Sequence, residues 1–136
     1  MNISLVVATF HRKLADDMIQ AAKTKATELG WTIQDIIEVP GTYEIPLAAA
    51  VLLETKEPDA LAVLGCIERG ETLHGEVMGH VVHRALIDLQ LKHRTPIGIG
   101  IIGPGATEEQ AQVRKNGAAQ GAVEAATALY DILVNF

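Results

Sequence analysis

Four short, continuously apolar segments alternate with stretches of helical periodicity, and this alternation restricts the fold more than any other feature of the chain. The segments are Asn2 to Ala8 (NISLVVA), Trp31 to Val39, Ala60 to Ile67 (ALAVLGCI) and Pro96 to Ile102. Runs of this length, rich in β-branched residues and bounded by turn formers such as Pro40-Gly41, read as buried strands. Strands that are apolar throughout, rather than at every second position, are expected where helices cover both faces of a parallel sheet.

The intervening segments supply those helices. Leu14, Met18, Ala22, Ala26 and Leu29 recur at helical spacing, and Gly30 ends that stretch as a C-terminal cap. A second helix runs from Glu44 to Glu54, with Pro46 in its first turn. A third runs from about His74 to His93, after a polar loop from Glu68 to Leu73. The Gly103-Pro104-Gly105 sequence reads as a turn. Thr107 to Gln110 then has the T-x-x-Q form of a capping box. It opens a last helix that reaches about Leu133, with interruptions expected near Gly117 and Gly121. The expected fold is α/β: a three-layer sandwich with a four-stranded parallel sheet, flavodoxin-like, in a single domain over residues 1–136.

Composition narrows the partners. Hydrophobic residues make up 49% of the 136, and charged residues 21%. That is apolar for a small protein, so part of the surface is expected to be covered by further copies of the chain. A bland account also exists, because abundant alanine raises the apolar fraction cheaply. The net charge of -6, the absence of a basic run and an aromatic content of 4% argue against nucleic acid as a partner. A single cysteine, Cys66, fits a reducing compartment. No apolar stretch is long enough to span a bilayer, and Met1 to Thr9 has no basic region, so no membrane association and a cytoplasmic location are expected.

Ligands of open parallel sheets bind beyond the carboxyl ends of the strands. Four segments fall there: Thr9-Phe10-His11, Val39 to Glu44, Cys66 to His74 and Ile102 to Thr107. In the second, Tyr43 can stack on a flat heterocycle and Glu44 can accept hydrogen bonds from hydroxyls; alone, the segment reads better as a plain turn with Tyr43 capping the core. The third is richer. Gly70 admits close backbone approach, and Glu71 and Thr72 precede a helix whose free N–H groups and dipole favour an anion such as phosphate. His74, in the first helical turn, can move protons near neutral pH. Cys66 reads as a small buried hydrophobe rather than a nucleophile. Arg114, two turns into the last helix, suits bidentate phosphate binding, although surface arginines are common.

Two further patterns resemble functional motifs. Gly98, Gly100 and Gly103 spell G-x-G-x-x-G, but they lie within a strand and not between strand and helix, as the dinucleotide fingerprint requires. Glu76, His80 and His83 share one helix face at a spacing that a metal could use, without matching H-E-x-x-H.

Taken together, these segments resemble the lumazine synthase family. VPGTYEIPLAA is similar to its substrate-stacking segment, LGCIERGETLH to its phosphate-loop and catalytic-histidine segment, and TEEQAQVR to its neighbour-donated arginine helix. IIGPGAT is similar to the turn in archaeal members. The resemblance implies condensation of 5-amino-6-ribitylamino-2,4-pyrimidinedione with 3,4-dihydroxy-2-butanone 4-phosphate, with release of phosphate and no metal or organic cofactor. It implies His74 as the catalytic residue. By position it implies substrate contacts at Phe10, His11, Thr42, Tyr43, Glu44, Cys66, Ile67, Glu71, Thr72, Ile99 and Arg114. Phe10 and Tyr43 would frame the heterocycle, and Glu44 would bind ribityl hydroxyls. Backbone near Cys66 and Ile67 would read the pyrimidine edge. Glu71, Thr72 and a neighbour's Arg114 would hold phosphate, which implies a homopentamer or an icosahedral shell of pentamers.

The chain departs from the family pattern at three places. His11 stands where an Asn is usual, and no aromatic lies near Ile99. The lysine usual in the last helix region has only Ala119 or Gln120 at its apparent position, with Lys115 the nearest substitute. Two other readings compete: a non-catalytic lumazine- or flavin-binding or shell-forming relative, and a metal-dependent hydrolase using Glu76, His80 and His83.

Overall fold

Side chains alternate across a strand, so a continuously apolar strand must feed two cores at once. The first strand does this. In β1 (Asn2–Ala8), Ile3, Leu5 and Val7 enter one buried cluster, while Val6 and Ala8 enter a second. The computed structural model describes residues 1–136. Its other strands are β2 (Thr32–Val39), β3 (Ala60–Glu68) and β4 (Ile97–Ala106), and its helices are α1 (Arg12–Glu28), α2 (Ile45–Thr55), α3 (His74–His93) and α4 (Glu108–Asn135). All strand pairs are parallel, in the order β2-β1-β3-β4.

Each cluster is completed by two helices. Leu14 and Met18 of α1 and Ala119, Ala122 and Val123 of α4 close one face of the sheet. Ile45 and Leu52 of α2 and Val82 and Leu86 of α3 close the other. The result is the expected three-layer α/β sandwich with a parallel sheet. Trp31, read as the first residue of β2, lies just before it; its buried indole N–H donates to the Thr127 hydroxyl of α4 at 2.8 Å.

Three local readings change. The 3-10 turn Thr42–Glu44 takes up the start expected for the second helix, and α2 begins at Ile45. Gly103-Pro104-Gly105 is not a turn that ends the strand. Pairing runs Cys66 to Ile102 and then resumes at Glu68 with Ala106, so these three residues stand opposite Ile67 alone. The glycines do bend the backbone, at φ 89 for Gly103 and 91 for Gly105, which is why the sequence reads as a turn. At Gly103 a Cβ would lie 2.2 Å from the Ile67 carbonyl oxygen, so only glycine fits. Finally, α4 runs unbroken through Gly117 and Gly121. Each glycine costs about 1 kcal/mol relative to alanine in a helix. Burial of Ala119, Ala122, Val123 and Ala126 against the sheet outweighs that cost.

Packing also explains the remaining glycine motif. A Cβ on Gly98 would lie 1.7 Å from the Ala122 carbonyl oxygen, and one on Gly100 would lie 2.7 Å from that of Ala118. Gly98 and Gly100 let α4 lie directly on β4; they do not cradle a phosphate.

Because β1 has β2 on one side and β3 on the other, the chain reverses its direction of travel across the sheet between β1 and β3. Such a switch point leaves a crevice at the carboxyl ends of the two strands. Phe10 and His11 follow β1 there, and Ile67 to His74 close β3 and lead into α3.

Candidate active site

The crevice is a cavity of about 360 Å³, and seven of the residues expected to contact substrate or catalyse line it: Phe10, His11, Thr42, Cys66, Ile67, Thr72 and His74. They come from three separate segments, each at a strand end. Thr42 is buried, whereas Phe10 is 80% exposed at the rim. Tyr43 and Glu44 lie on the adjoining 3-10 turn and are exposed. The Tyr43 ring reaches His74 edge-on, with centroids 5.7 Å apart, so it stands beside the cavity.

A second cavity, about 410 Å³, adjoins the first and shares Glu68, Gly70, Thr72 and Gly75 with it. Its wall is the loop leading into α3. Helix starts leave backbone donors without intrahelical partners. Here Leu73 is the N-cap and supplies no side-chain bond. The His74 N–H donates to the Thr72 hydroxyl at 3.3 Å. The amides of Gly70, Glu71, Thr72, Leu73, Gly75 and Glu76 donate to no acceptor in the chain. This concentration of free N–H groups at the positive end of a helix is chemically an anion site. The side chains work against it: Glu68, Glu71 and Glu76 line the cavity with one guanidinium, Arg69. An anion seated there needs a further cation.

Arg114 does not supply that cation within its own chain. It is exposed on α4, lines neither cavity, and makes no ion pair or hydrogen bond. Lys115, the nearest substitute for the lysine usual in this region, lines neither cavity. Its ammonium donates to Asp17 at 2.7 Å and to Gln112 at 3.0 Å, which ties α4 to α1. Ala119 is fully buried, so that position faces the core. Ile99 is also outside the cavity: it sits within the edge strand β4, opposite Val63, and packs against the α2 and α3 face.

Burial pushes the Cys66 thiol up to about 11, helped by the neighbouring Glu68 carboxylate. The thiol is therefore neutral near pH 7, in keeping with a packing role and not a nucleophilic one. Among the metal candidates, His83 turns Nδ1 onto the Gly79 carbonyl at 2.6 Å. No three His, Cys, Asp or Glu side chains are grouped so as to hold a metal ion. No helix is long and apolar enough to cross a membrane.

Sequence reasoning missed Glu68, Gly75 and Met78 as cavity residues. For Gly75 a signal existed, since a glycine in a first helical turn is unfavourable unless space demands it. A Cβ there would lie 3.2 Å from Ile67 Cγ2, so Gly75 sets how closely α3 approaches β3.

Known proteins are similar to this chain over most of its length. The family model described as 6,7-dimethyl-8-ribityllumazine synthase matches residues 1–135. Curated proteins of that name are similar over most of their length. One from Staphylothermus marinus is 42% identical over 123 residues, covering 90% of this chain and 82% of its own. One from Metallosphaera sedula is 40% identical over 126 residues, covering 93% and 83%. One from Methanocaldococcus jannaschii is 40% identical over 114 residues, covering 84% and 81%.

Proposed function

The chain belongs to the 6,7-dimethyl-8-ribityllumazine synthase family, transferase enzymes of riboflavin biosynthesis, and on that premise we propose that it condenses 5-amino-6-ribitylamino-2,4-pyrimidinedione with 3,4-dihydroxy-2-butanone 4-phosphate. The amine attacks the ketone carbonyl, and loss of water gives an imine. Phosphate is eliminated, and ring closure with loss of a second water gives 6,7-dimethyl-8-ribityllumazine. No step needs a metal or an organic cofactor.

The observation that carries this reading is the adjacency of two cavities of different chemistry that share Thr72. One is lined by Phe10, with Tyr43 beside it on the adjoining turn; these two rings would frame a flat heterocycle, and Glu44 on the same turn would bind ribityl hydroxyls. Cys66 and Ile67 line the same cavity, and their backbone groups would read a pyrimidine edge. The other is walled by the free amides of Glu71 and Thr72, which suit phosphate. His74 stands on the first cavity, beside the loop that walls the second, where protons must move between amine, carbonyl and leaving group.

The acidic side chains around the phosphate cavity, and an Arg114 without a partner, support a site completed by the neighbouring subunit. A closed ring repeats such a contact at every interface. We read the ring as a homopentamer, free or built into a shell, with Arg114 gripping phosphate across the interface. Turnover is the test. Purified protein incubated with both substrates should release phosphate and develop lumazine fluorescence. A non-catalytic lumazine binder is the second reading, favoured by the engagement of Lys115 with Asp17; it predicts lumazine binding with neither phosphate nor new fluorescence.

A further inference from the structure

Glu68 has no part in heterocycle binding in the account above, yet it lines the heterocycle cavity. Its backbone is fixed at the end of β3, where it pairs with Ala106 of β4. The next amide, that of Arg69, donates to the Ala106 carbonyl at 2.8 Å. From this fixed base the Glu68 carboxylate reaches across to His11, placing Oε2 3.8 Å from Nε2. The imidazole is otherwise uncommitted. His11 occupies the N-cap position of α1 but makes no side-chain capping bond. Phe10 packs edge-on against the ring, with centroids 5.0 Å apart and planes at 84°. Both His11 and Glu68 line the cavity with Thr42, Cys66 and His74. The carboxylate is also felt at Cys66, whose thiol it helps to raise, so its charge is directed at this wall.

We propose that Glu68 is a positioning residue for substrate recognition: acting through His11, it holds the imidazole in the tautomer protonated at Nε2, leaving Nδ1 as an acceptor for an N–H of the heterocyclic substrate. This deepens the functional reading given above and rests on it. A carboxylate only accepts, so the ring nitrogen facing it keeps its proton and the other keeps a lone pair. At 3.8 Å the pair lies within ion-pair range and beyond a direct hydrogen bond, so the carboxylate acts on the ring through its field. An amide side chain at position 11 would carry its donor and acceptor without help. A histidine needs a second residue to fix which nitrogen accepts, and Glu68 is placed to do so. The ligand chemistry it selects is a ring N–H, such as the imide edge of a pyrimidinedione.

A double-mutant cycle with a spectroscopic readout tests this. Nitrogen NMR of His11 in the substrate-free protein should show the Nε2–H tautomer, and Glu68→Ala should shift it towards a mixture. Glu68→Gln, which keeps the shape and removes the charge, should shift it in the same direction. In steady-state kinetics, Glu68→Ala should raise KM for the pyrimidinedione roughly 3- to 10-fold, the loss of one neutral hydrogen bond. In a His11→Asn background the same substitution should change the pyrimidinedione KM by less than about twofold. Equal effects in both backgrounds, or an unchanged tautomer in Glu68→Ala, would overturn the proposal. A wild-type protein that makes no lumazine would instead sink the functional reading, and the tautomer, read without substrate, would still decide whether Glu68 controls His11.

Discussion

The imidazole of His74 meets the ring of Tyr43 edge-on, with centroids 5.7 Å apart and planes at 70°. Tyr43 comes from the turn after β2, and His74 opens α3. The contact therefore joins the segment read as a stacking platform to the segment read as the acid–base group. No hydrogen bond or ion pair within the chain engages the His74 ring. Its orientation rests on an aromatic edge, and its two nitrogens are left for the reaction.

That arrangement predicts the effect of His74→Ala. Turnover should fall by roughly 100- to 10,000-fold, the usual contribution of a positioned acid–base group. The residue is exposed, so the thermal midpoint should barely move. Pre-steady-state and steady-state rates, read beside a melting curve, check both parts.

Gly98 and Gly121 should respond in opposite directions to the same substitution. Gly98→Ala places a methyl where the Ala122 carbonyl oxygen would be 1.7 Å away, forcing α4 off β4. A loss of about 1–3 kcal/mol in unfolding free energy is expected. Gly121 faces open space in the same helix. Gly121→Ala should gain about 0.5–1 kcal/mol. Urea titrations of the two variants test the pair.

Asp17 links the outer helices and should carry a pH signature. Its carboxyl is held below the ordinary 3.8, first by the hydrogen bond from Lys115 and then by that from Lys13. A depressed folded-state value means the contribution is complete above the unfolded-state value and disappears as pH falls through the folded-state value. The difference in melting temperature between wild type and Asp17→Asn should hold from neutral pH to about 5, shrink below about 4 and be gone near 2. Because Lys115 is committed to this contact, Lys115→Met should leave KM for the phosphorylated ketone within about twofold.

Arg114→Ala should act on one substrate. Losing a charge-assisted bond to phosphate costs roughly 1.5–3 kcal/mol, which raises KM for the phosphorylated ketone by about 10- to 150-fold. The pyrimidinedione KM should move little. Separate titration of each substrate distinguishes this from a structural role, which would affect both.

The layers were legible because burial on both faces leaves its mark residue by residue: Ile3, Leu5 and Val7 alternate with Val6 and Ala8 between two cores, so neither face of the strand is polar. The cavity was legible where its lining residues are close together in the chain, as from Cys66 to His74. Long-range geometry was not. Gly98 and Gly100 owe their identity to a helix that follows later in the chain, and nothing adjacent to them reveals it. Pairing of Glu68 with Ala106 carries β4 past glycines that locally spell a turn. Glu68 itself reads as a loop carboxylate until β1 brings His11 beside it. Arg114 lies outside both cavities of its own chain, and nothing beside it in the sequence reveals that.

The central claim is that two copies of the chain build one lumazine-forming site, with His74 from one and Arg114 from its neighbour. Mixing the two deficient variants tests it directly. His74→Ala and Arg114→Ala chains, unfolded together and co-assembled, should give rings in which some interfaces carry both residues intact, so lumazine fluorescence should partly return above that of either parent. Native mass spectrometry establishes that mixed rings have formed. Mixed rings with no activity above the parents would contradict the shared site.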